Sequence, residues 1–332
     1  MSVAAFVILA FMIAAYALLD GYDLGVAAIA PIIGRTPNQR SAAMEAIGPF
    51  WNGNEVWLIA AGGALFALFP QAYASAFSGF YLPFMVVLWL LMFRGIALEL
   101  RNHLSAQLWQ EFWDVCFTLS STLLILLFGV AIGNLLRGVP LDRSGYFVGS
   151  FAFLLNPYAV AVGLFAIATL AMHGAVFLSM RLSGLLAERS RKLVIRLWPL
   201  VLVIYLGVTV ATYFERSNLT ELLSTWIVAL PVLSLAALIF VLRATRHAAS
   251  GRAFIASSLF VGSLVAAAAA AMFPYLLPGF PHMSNGLSIY AAAPSPISLT
   301  TALIATVAGI IVVVAYSVFV TRLFPRRISG ET

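Results

Sequence analysis

Charge is the scarcest commodity in this chain. Only 9% of its 332 residues are Asp, Glu, Lys or Arg, where an ordinary soluble domain carries about 25%. With 63% apolar residues, the chain cannot hide its hydrophobic surface in a water-soluble core, so an integral membrane protein is expected. Cysteine is almost missing. Cys116 is the only one, which excludes an intrachain disulfide and any cysteine-based cluster or zinc site. Histidine is rare too: of four, only His173 in "LAMHGAVF" lies deep in an apolar run, while His103, His247 and His282 fall in loops. The pattern therefore supplies no metal cluster, and as a haem ligand His173 stands alone against the simpler role of an interhelical hydrogen bond. The alternating segments of an outer-membrane barrel are absent as well, leaving helices as the spanning elements.

What is present is a series of apolar stretches long enough to cross a hydrocarbon core as helices. Nine occur, near 3–30, 52–69, 78–99, 113–135, 157–180, 194–213, 223–242, 254–275 and 299–321. No basic region precedes the first and no small-residue cleavage site follows it, so it is read as a retained helix. Connections are short, the longest near 31–50, 137–156 and 276–298. No soluble domain fits between spans. Pro278, Pro281, Pro294 and Pro296 keep the last of these loops from being regular helix throughout.

An odd number of spans puts the two ends on opposite sides, and the cations decide which is which. Fifteen of the 18 Lys and Arg residues fall on one side, against Arg137, Arg143 and Arg216 on the other. By the positive-inside rule the crowded side is cytoplasmic, giving an outside N-terminus and a cytoplasmic C-terminus. The net charge of +6 is thus a topology signal. Spread over several short loops it makes no basic domain, and nucleic acid is not an expected partner.

Ionisable groups inside spans are costly and tend to mark function or a buried partner. Asp20 and Asp23 in "LLDGYDLGVA" are three residues apart and share a helix face. Asn52, Asn54 and Glu55 open the second span, and Arg94 and Glu99 close the third in "MFRGIALELRNH". With the topology above, all of these fall in the cytoplasmic half. Three consecutive spans would pool carboxylates and one arginine at one depth, as a polar inlet for protons. Each residue also has a plainer reading. Asp20 and Asp23, beside Gly21 and Gly25, would fit a helix break; Arg94 would fit an assembly ion pair; Glu99 and Glu111 would fit solvated helix ends. Trp51 and Trp57 read either as membrane-interface anchors or as cofactor contacts. The residues alone leave open a proton-coupled transporter, a channel, or the proton-handling partner of a redox complex.

The motifs narrow this. "LDGYDLGV" at 19–26, "FWNGNEVWLIAAGGALFALFP" at 50–70, "AFSGFYLPFM" at 76–85, "FRGIALELR" at 93–101, "GNLLRGVP" at 133–140, "LLNPYAV" at 154–160 and "AMFPYLLP" at 271–278 follow in the order found in subunit II of cytochrome bd-type quinol oxidases. The chain is therefore identified as resembling that family over nearly its whole length. The resemblance implies an all-α polytopic membrane protein forming one transmembrane domain over 1–332. It would contain a four-helix bundle over 1–135, a second over 157–275, and a ninth helix at 299–321. It implies a subunit of a quinol:dioxygen oxidoreductase of the bacterial cytoplasmic membrane, inactive alone, whose partner subunit I carries the b-type and d-type haems. This chain would bind no haem or metal itself. Some family members associate a structural quinone, lipids and a small single-helix subunit with the complex, and some have a hydrophilic proton path in subunit II.

Residue by residue, Asp23 corresponds to the second aspartate of the first-span motif, Arg94 to the arginine of the third, and Glu99 to an acidic position there. The aspartate the family carries after the second-span tryptophan is Asn52 here, which cannot exchange a proton at physiological pH. Either Glu55, one turn further on, replaces it, or the path through this subunit is weak or absent. After the serine-asparagine stretch, Tyr290 and Ala291 stand where the family often has tryptophan-aspartate. The rival reading, from another class, is a free-standing proton-coupled transporter with the acidic set as its coupling site.

Overall fold

The computed structural model describes residues 1–216 and 225–324. Arg326 and Arg327, counted above among the cytoplasmic cations, lie outside the described residues, as do the first two residues of the seventh predicted span.

Each of the nine apolar segments coincides with a helix. In chain order the helices are α1 (Ser2–Ile33), α2 (Pro37–Ile47), α3 (Trp51–Leu68), α4 (Pro70–Gly79), α5 (Tyr81–Leu100), α6 (Gln107–Arg137), α7 (Phe151–Leu154), α8 (Pro157–Arg181), α9 (Gly184–Glu215), α10 (Thr225–Arg246), α11 (Ser250–Met272) and α12 (Pro296–Leu323). Helices close every backbone hydrogen bond within the segment, which is the requirement hydrocarbon imposes. Eight of them, among the described residues, are long and apolar enough to cross a membrane: α1, α5, α6, α8, α9, α10, α11 and α12. The second predicted span, α3, has 18 residues, and Asn52, Asn54 and Glu55 in its first turns dilute its apolar character.

Local chemistry sets several boundaries. Helices α2, α8 and α12 each begin with proline at the first helical position behind Thr36, Asn156 or Ser295, whose side chain accepts a backbone N–H two to three residues into the helix. Proline has no N–H to leave unpaired there, and the capping oxygen satisfies one that is. Helix α1 runs unbroken through Gly21 and Gly25, so the helix-break reading of Asp20 and Asp23 does not apply. The 276–298 loop is irregular, as its prolines require: β1 (Tyr275–Leu277) pairs antiparallel with β2 (Leu287–Ser288). Val139 and Phe280 tie this hairpin to the α6–α7 loop through Val139 N–H to Pro278 O (2.8 Å) and Phe280 N–H to Val139 O (3.0 Å).

Helix α1 is the axis of the packing, in contact with α2, α3, α6, α8 and α11. Its C-terminal half belongs to a large buried cluster with α2, α6, α8, α9, α10 and α11, including Val26, Ile33, Ile47, Phe117, Met172, Val194, Leu238 and Phe260. Its N-terminal half belongs to a second cluster with α3, α4, α12 and the β1–β2 region, including Leu9, Trp57, Leu68, Phe80, Leu276 and Leu299. Further pairs are α5 on α6, α8 on α9, α9 on α10, α10 on α11, and α12 on α3.

Candidate functional site: a polar cluster where three helices meet

The middle of α1 passes its motif "LDGYDLGV" between α3, α5 and α8. Asp20, Asp23 and Arg94 are fully enclosed, and Asn54 nearly so. Arg94 of α5 grips Asp20 of α1 with both terminal nitrogens: Nη1 to Oδ2 at 2.9 Å and Nη2 to Oδ1 at 2.5 Å. This two-pronged geometry makes a strong charge-assisted pair, and it fixes orientation as well as distance. Asp20 is therefore the carboxylate that Arg94 pairs with, a choice the sequence left open.

One turn on, Asp23 meets α3. Asn54 Nδ2 donates to Asp23 Oδ2 at 2.7 Å and to the Tyr22 hydroxyl oxygen at 2.7 Å, with the Leu19 carbonyl at 3.3 Å. Among the described residues, Asp23 Oδ1 and Arg94 Nε have no hydrogen-bond partner. Glu55 is half-buried beside this cluster, within the electrostatic reach of Arg94 and Asp20.

The structure thus brings together Asp20, Asp23, Asn54, Arg94 and, at the edge, Glu55. It does not bring in the others. Asn52 and Glu99 are exposed on the helix surface, and Glu99 contributes only its backbone carbonyl, 3.0 Å from His103 Nδ1. Trp51 is half-buried, its ring facing Gly95 of α5. Trp57 is buried and meets Phe11 edge-on at 6.0 Å between ring centres. It also lines a groove of about 300 Å³ with Met12, Gly63, Ala305, Thr306 and Gly309, between α1, α3 and α12, and its indole N–H has no partner among the described residues.

Sequence reasoning missed two participants. Tyr22 lies inside the motif that carries Asp20 and Asp23, yet its hydroxyl was not singled out. Asp114 was missed as well. It is buried near the start of α6, held by Arg101 of the α5 end (Nε to Oδ1, 2.5 Å) and by Arg40 of α2 (Nε to Oδ2, 2.7 Å). Arg101 also donates to Ser41 Oγ at 2.5 Å and to the Pro37 carbonyl at 3.1 Å, so this second buried charge centre joins α2, α5 and α6. A carboxylate opening a span, with an arginine in the connection just before it and another in the connection between the first two spans, was the available signal.

His173 does not serve as an open haem ligand. A carbonyl only accepts, so Nε2–H donates to Leu18 O (3.0 Å), and Nδ1 is taken by the Ser257 hydroxyl (2.8 Å). The ring stacks on Phe254 at 5.4 Å. With both nitrogens engaged, axial ligation does not fit this side chain. Among the described residues there is no group of three His, Cys, Asp or Glu suited to a metal ion.

Helices of membrane-crossing length around an intramembrane ion pair define a multi-pass membrane protein with a buried polar centre. Residues 1–324 match the family of cytochrome bd terminal oxidase subunit II, and the chain belongs to that family. It is 33% identical to the cytochrome bd-I ubiquinol oxidase subunit 2 of Escherichia coli K12, covering 86% of this chain and 83% of that protein. To the probable cytochrome oxidase subunit 2 of Haemophilus influenzae it is 30% identical (94% and 91% covered). To the cytochrome bd ubiquinol oxidase subunit 2 of Bacillus subtilis it is 28% identical (98% and 96%). Its fold matches a chain of the bd oxidase from Geobacillus thermodenitrificans with a TM-score of 0.78 over 97% of this chain and 98% of that one, at 18% identity. The chain is therefore a subunit of a terminal oxidase complex, and the free-standing transporter is not favoured.

Proposed function

We propose that this chain is the haem-free subunit of a quinol:dioxygen oxidoreductase in the bacterial cytoplasmic membrane. It braces a haem-bearing subunit I and leads protons toward it from the cytoplasm. In this reading α3 is the ninth crossing, and the N-terminus is outside and the C-terminus cytoplasmic. The helices before α7 form one bundle and α8 to α11 the other, with α12 against α3. Within these groups α5 packs on α6, α1 on α3 and α6, and α8 to α11 on one another, and the two groups join through α1 and α6 against α8.

The observation that carries the proposal is the convergence of Asp20, Asp23, Glu55 and Arg94 from α1, α3 and α5. One guanidinium balances one carboxylate, and Asp20 has it. Asp23 and Glu55 are left to exchange a proton in a partly enclosed setting, which is what a relay requires. Asn54 donates to Asp23 and to the Tyr22 hydroxyl on the Asp23 side of this pair. Asn52 supports the partner's presence: exposed on the same stripe as Val56, Ile59, Gly63 and Phe66, its amide would be costly against lipid and calls for a polar group from a neighbouring subunit. The apolar groove beside Trp57 is where this reading would put a structural quinone, held by apolar contact with Met12, Trp57 and Ile310.

The experiment is Glu55→Gln in the assembled complex, read by quinol-driven oxygen consumption. With proton handling by a placed carboxyl contributing about 10²–10⁴ in rate, turnover is expected to fall at least about tenfold with haem content unchanged. Full turnover at normal haem content would remove Glu55 from the path.

A further inference from the structure

His173, the one histidine deep in an apolar run, has no part in the relay described above, yet it is fully buried and bonded at both ring nitrogens. Its Nε2–H donates across from α8 to the Leu18 carbonyl of α1 at 3.0 Å. Nδ1 is then bare and accepts the Ser257 O–H from α11 at 2.8 Å, which fixes the tautomer. Helix α1 is unbroken here, so the Leu18 carbonyl also accepts the backbone N–H of Tyr22, four residues on. The imidazole thus holds the turn that carries Tyr22, and it meets the side chain as well. The two rings lie edge to face at 6.2 Å between centres, and Phe177, one turn beyond His173, stacks flat on Tyr22 at 4.1 Å. These contacts set where the Tyr22 hydroxyl ends, 2.7 Å from Asn54 Nδ2.

The bond from His173 is not what keeps α1 helical or close to α8. The Leu18 carbonyl already has its helix partner, and the α1–α8 approach is closed by Gly25 and Gly174, whose backbones touch. A polar ring among apolar helices is costly unless its nitrogens are paired, so its presence calls for a further reason. What the imidazole adds is the position of Tyr22. Asn54 has two N–H bonds to give, and Asp23 Oδ2 and the Tyr22 hydroxyl take them at 2.7 Å each. Displacing Tyr22 turns the amide, and with it the donor on Asp23. From this we infer that His173 is a positioning residue of the proton path: with its tautomer set by Ser257, it holds Tyr22 so that Asn54 keeps its bond to Asp23. The inference rests on the relay reading for its effect on turnover, and on the geometry alone for the placing of Tyr22.

The test compares His173→Gln, His173→Asn and Ser257→Ala in the purified complex. A Gln amide reaches the place of Nε2 and still donates to the Leu18 carbonyl; an Asn amide ends near the place of Nδ1, keeps Ser257 in reach and gives the Leu18 carbonyl nothing. The readouts are haem content, quinol-driven oxygen consumption and the infrared C–O stretching band of the Tyr22 side chain, assigned by its loss in Tyr22→Phe. His173→Gln should keep the wild-type band and turnover. His173→Asn should displace the band and lower turnover about tenfold or more at normal haem content, since a misplacement of about 1 Å can cost about 10²-fold. Ser257→Ala removes only the hydroxyl that sets the tautomer; it should displace the same band, and it decides the question if His173→Asn does not assemble. A band unmoved in His173→Asn and Ser257→Ala, or equal behaviour of the Gln and Asn variants, would overturn the inference. So would a displaced band at full turnover in a complex that Glu55→Gln slows. Full turnover in Glu55→Gln is a different failure: it removes the relay, while a displaced Tyr22 band still upholds the placing of Tyr22 by His173.

Discussion

Arg94 and Asp20 are the two residues on which the polar centre turns. Each is 1% exposed or less, and each answers the other's charge through two hydrogen bonds. Removing one partner of a buried pair strands the other charge and costs about 3–5 kcal/mol, whereas replacing both with apolar residues of similar size is often nearly neutral. Arg94→Leu and Asp20→Leu should therefore each lower the yield and melting temperature of the purified complex sharply, and the double variant should recover most of the loss. A double variant as unstable as the worse single one would show that the pair does not act as a unit. Much of this centre was legible in the sequence, because a charge in an apolar run announces itself. Asp20, Asp23, Glu55 and Arg94 all stood out on that ground. What the sequence could not provide was pairing. Spacing on one helix sets a face, but the partner of Arg94 depends on the tilt and rotation of α5 against α1, which are set by packing. Asp114 escaped notice for a related reason: at the mouth of a span it resembles a solvated end, and only the fold brings Arg40 and Arg101 over it.

Among the elements, the α1–α8 contact decides how the molecule closes. A methyl group on Gly25 would meet the Leu170 carbonyl oxygen 1.9 Å away, and one on Gly174 would meet the Gly25 carbonyl carbon at 2.4 Å. The two backbones touch there, the close approach that small residues allow between membrane helices. The obstructing atoms are backbone, so they cannot swing aside. Gly25→Ala must push α1 and α8 apart, and a cost of about 1–3 kcal/mol is expected from overpacking of this kind. Gly207 of α9 has nothing within 4 Å of an added methyl, so Gly207→Ala is the matched control. Thermal unfolding of the two variants should show a clear drop for the first and little change for the second; equal behaviour would refute the close-approach account. The apolar segments predicted the long helices well, since length and hydropathy are what hydrocarbon selects. Helices α2 and α4 were read only as parts of connections, because neither has a long apolar run. Each is instead defined by a proline start and by burial of small faces such as Ala43, Ile47 and Ala72.

On the scale of the whole molecule, the two hydrophobic clusters meet along α1, and the polar centre lies between them. Exposed apolar side chains cover the outer faces of α3, α5, α9 and α12. Lipid and a partner subunit are the only environments in which so much of that surface is stable. The family and the fold were legible from ordered motifs, and several of these hold the residues where backbones touch or charges are buried, such as Gly25, Asp20 and Arg94. We propose that Glu55 carries the proton that Asn52, an amide, cannot exchange. We further propose that this chain functions only when joined to a subunit that carries the haems. The most direct check is the visible absorption spectrum and haem content of the complex purified through an affinity tag on this chain. One haem-bearing partner with b-type and d-type absorption should co-purify; a colourless assembly of this chain alone, stable and correctly inserted, would refute the proposal.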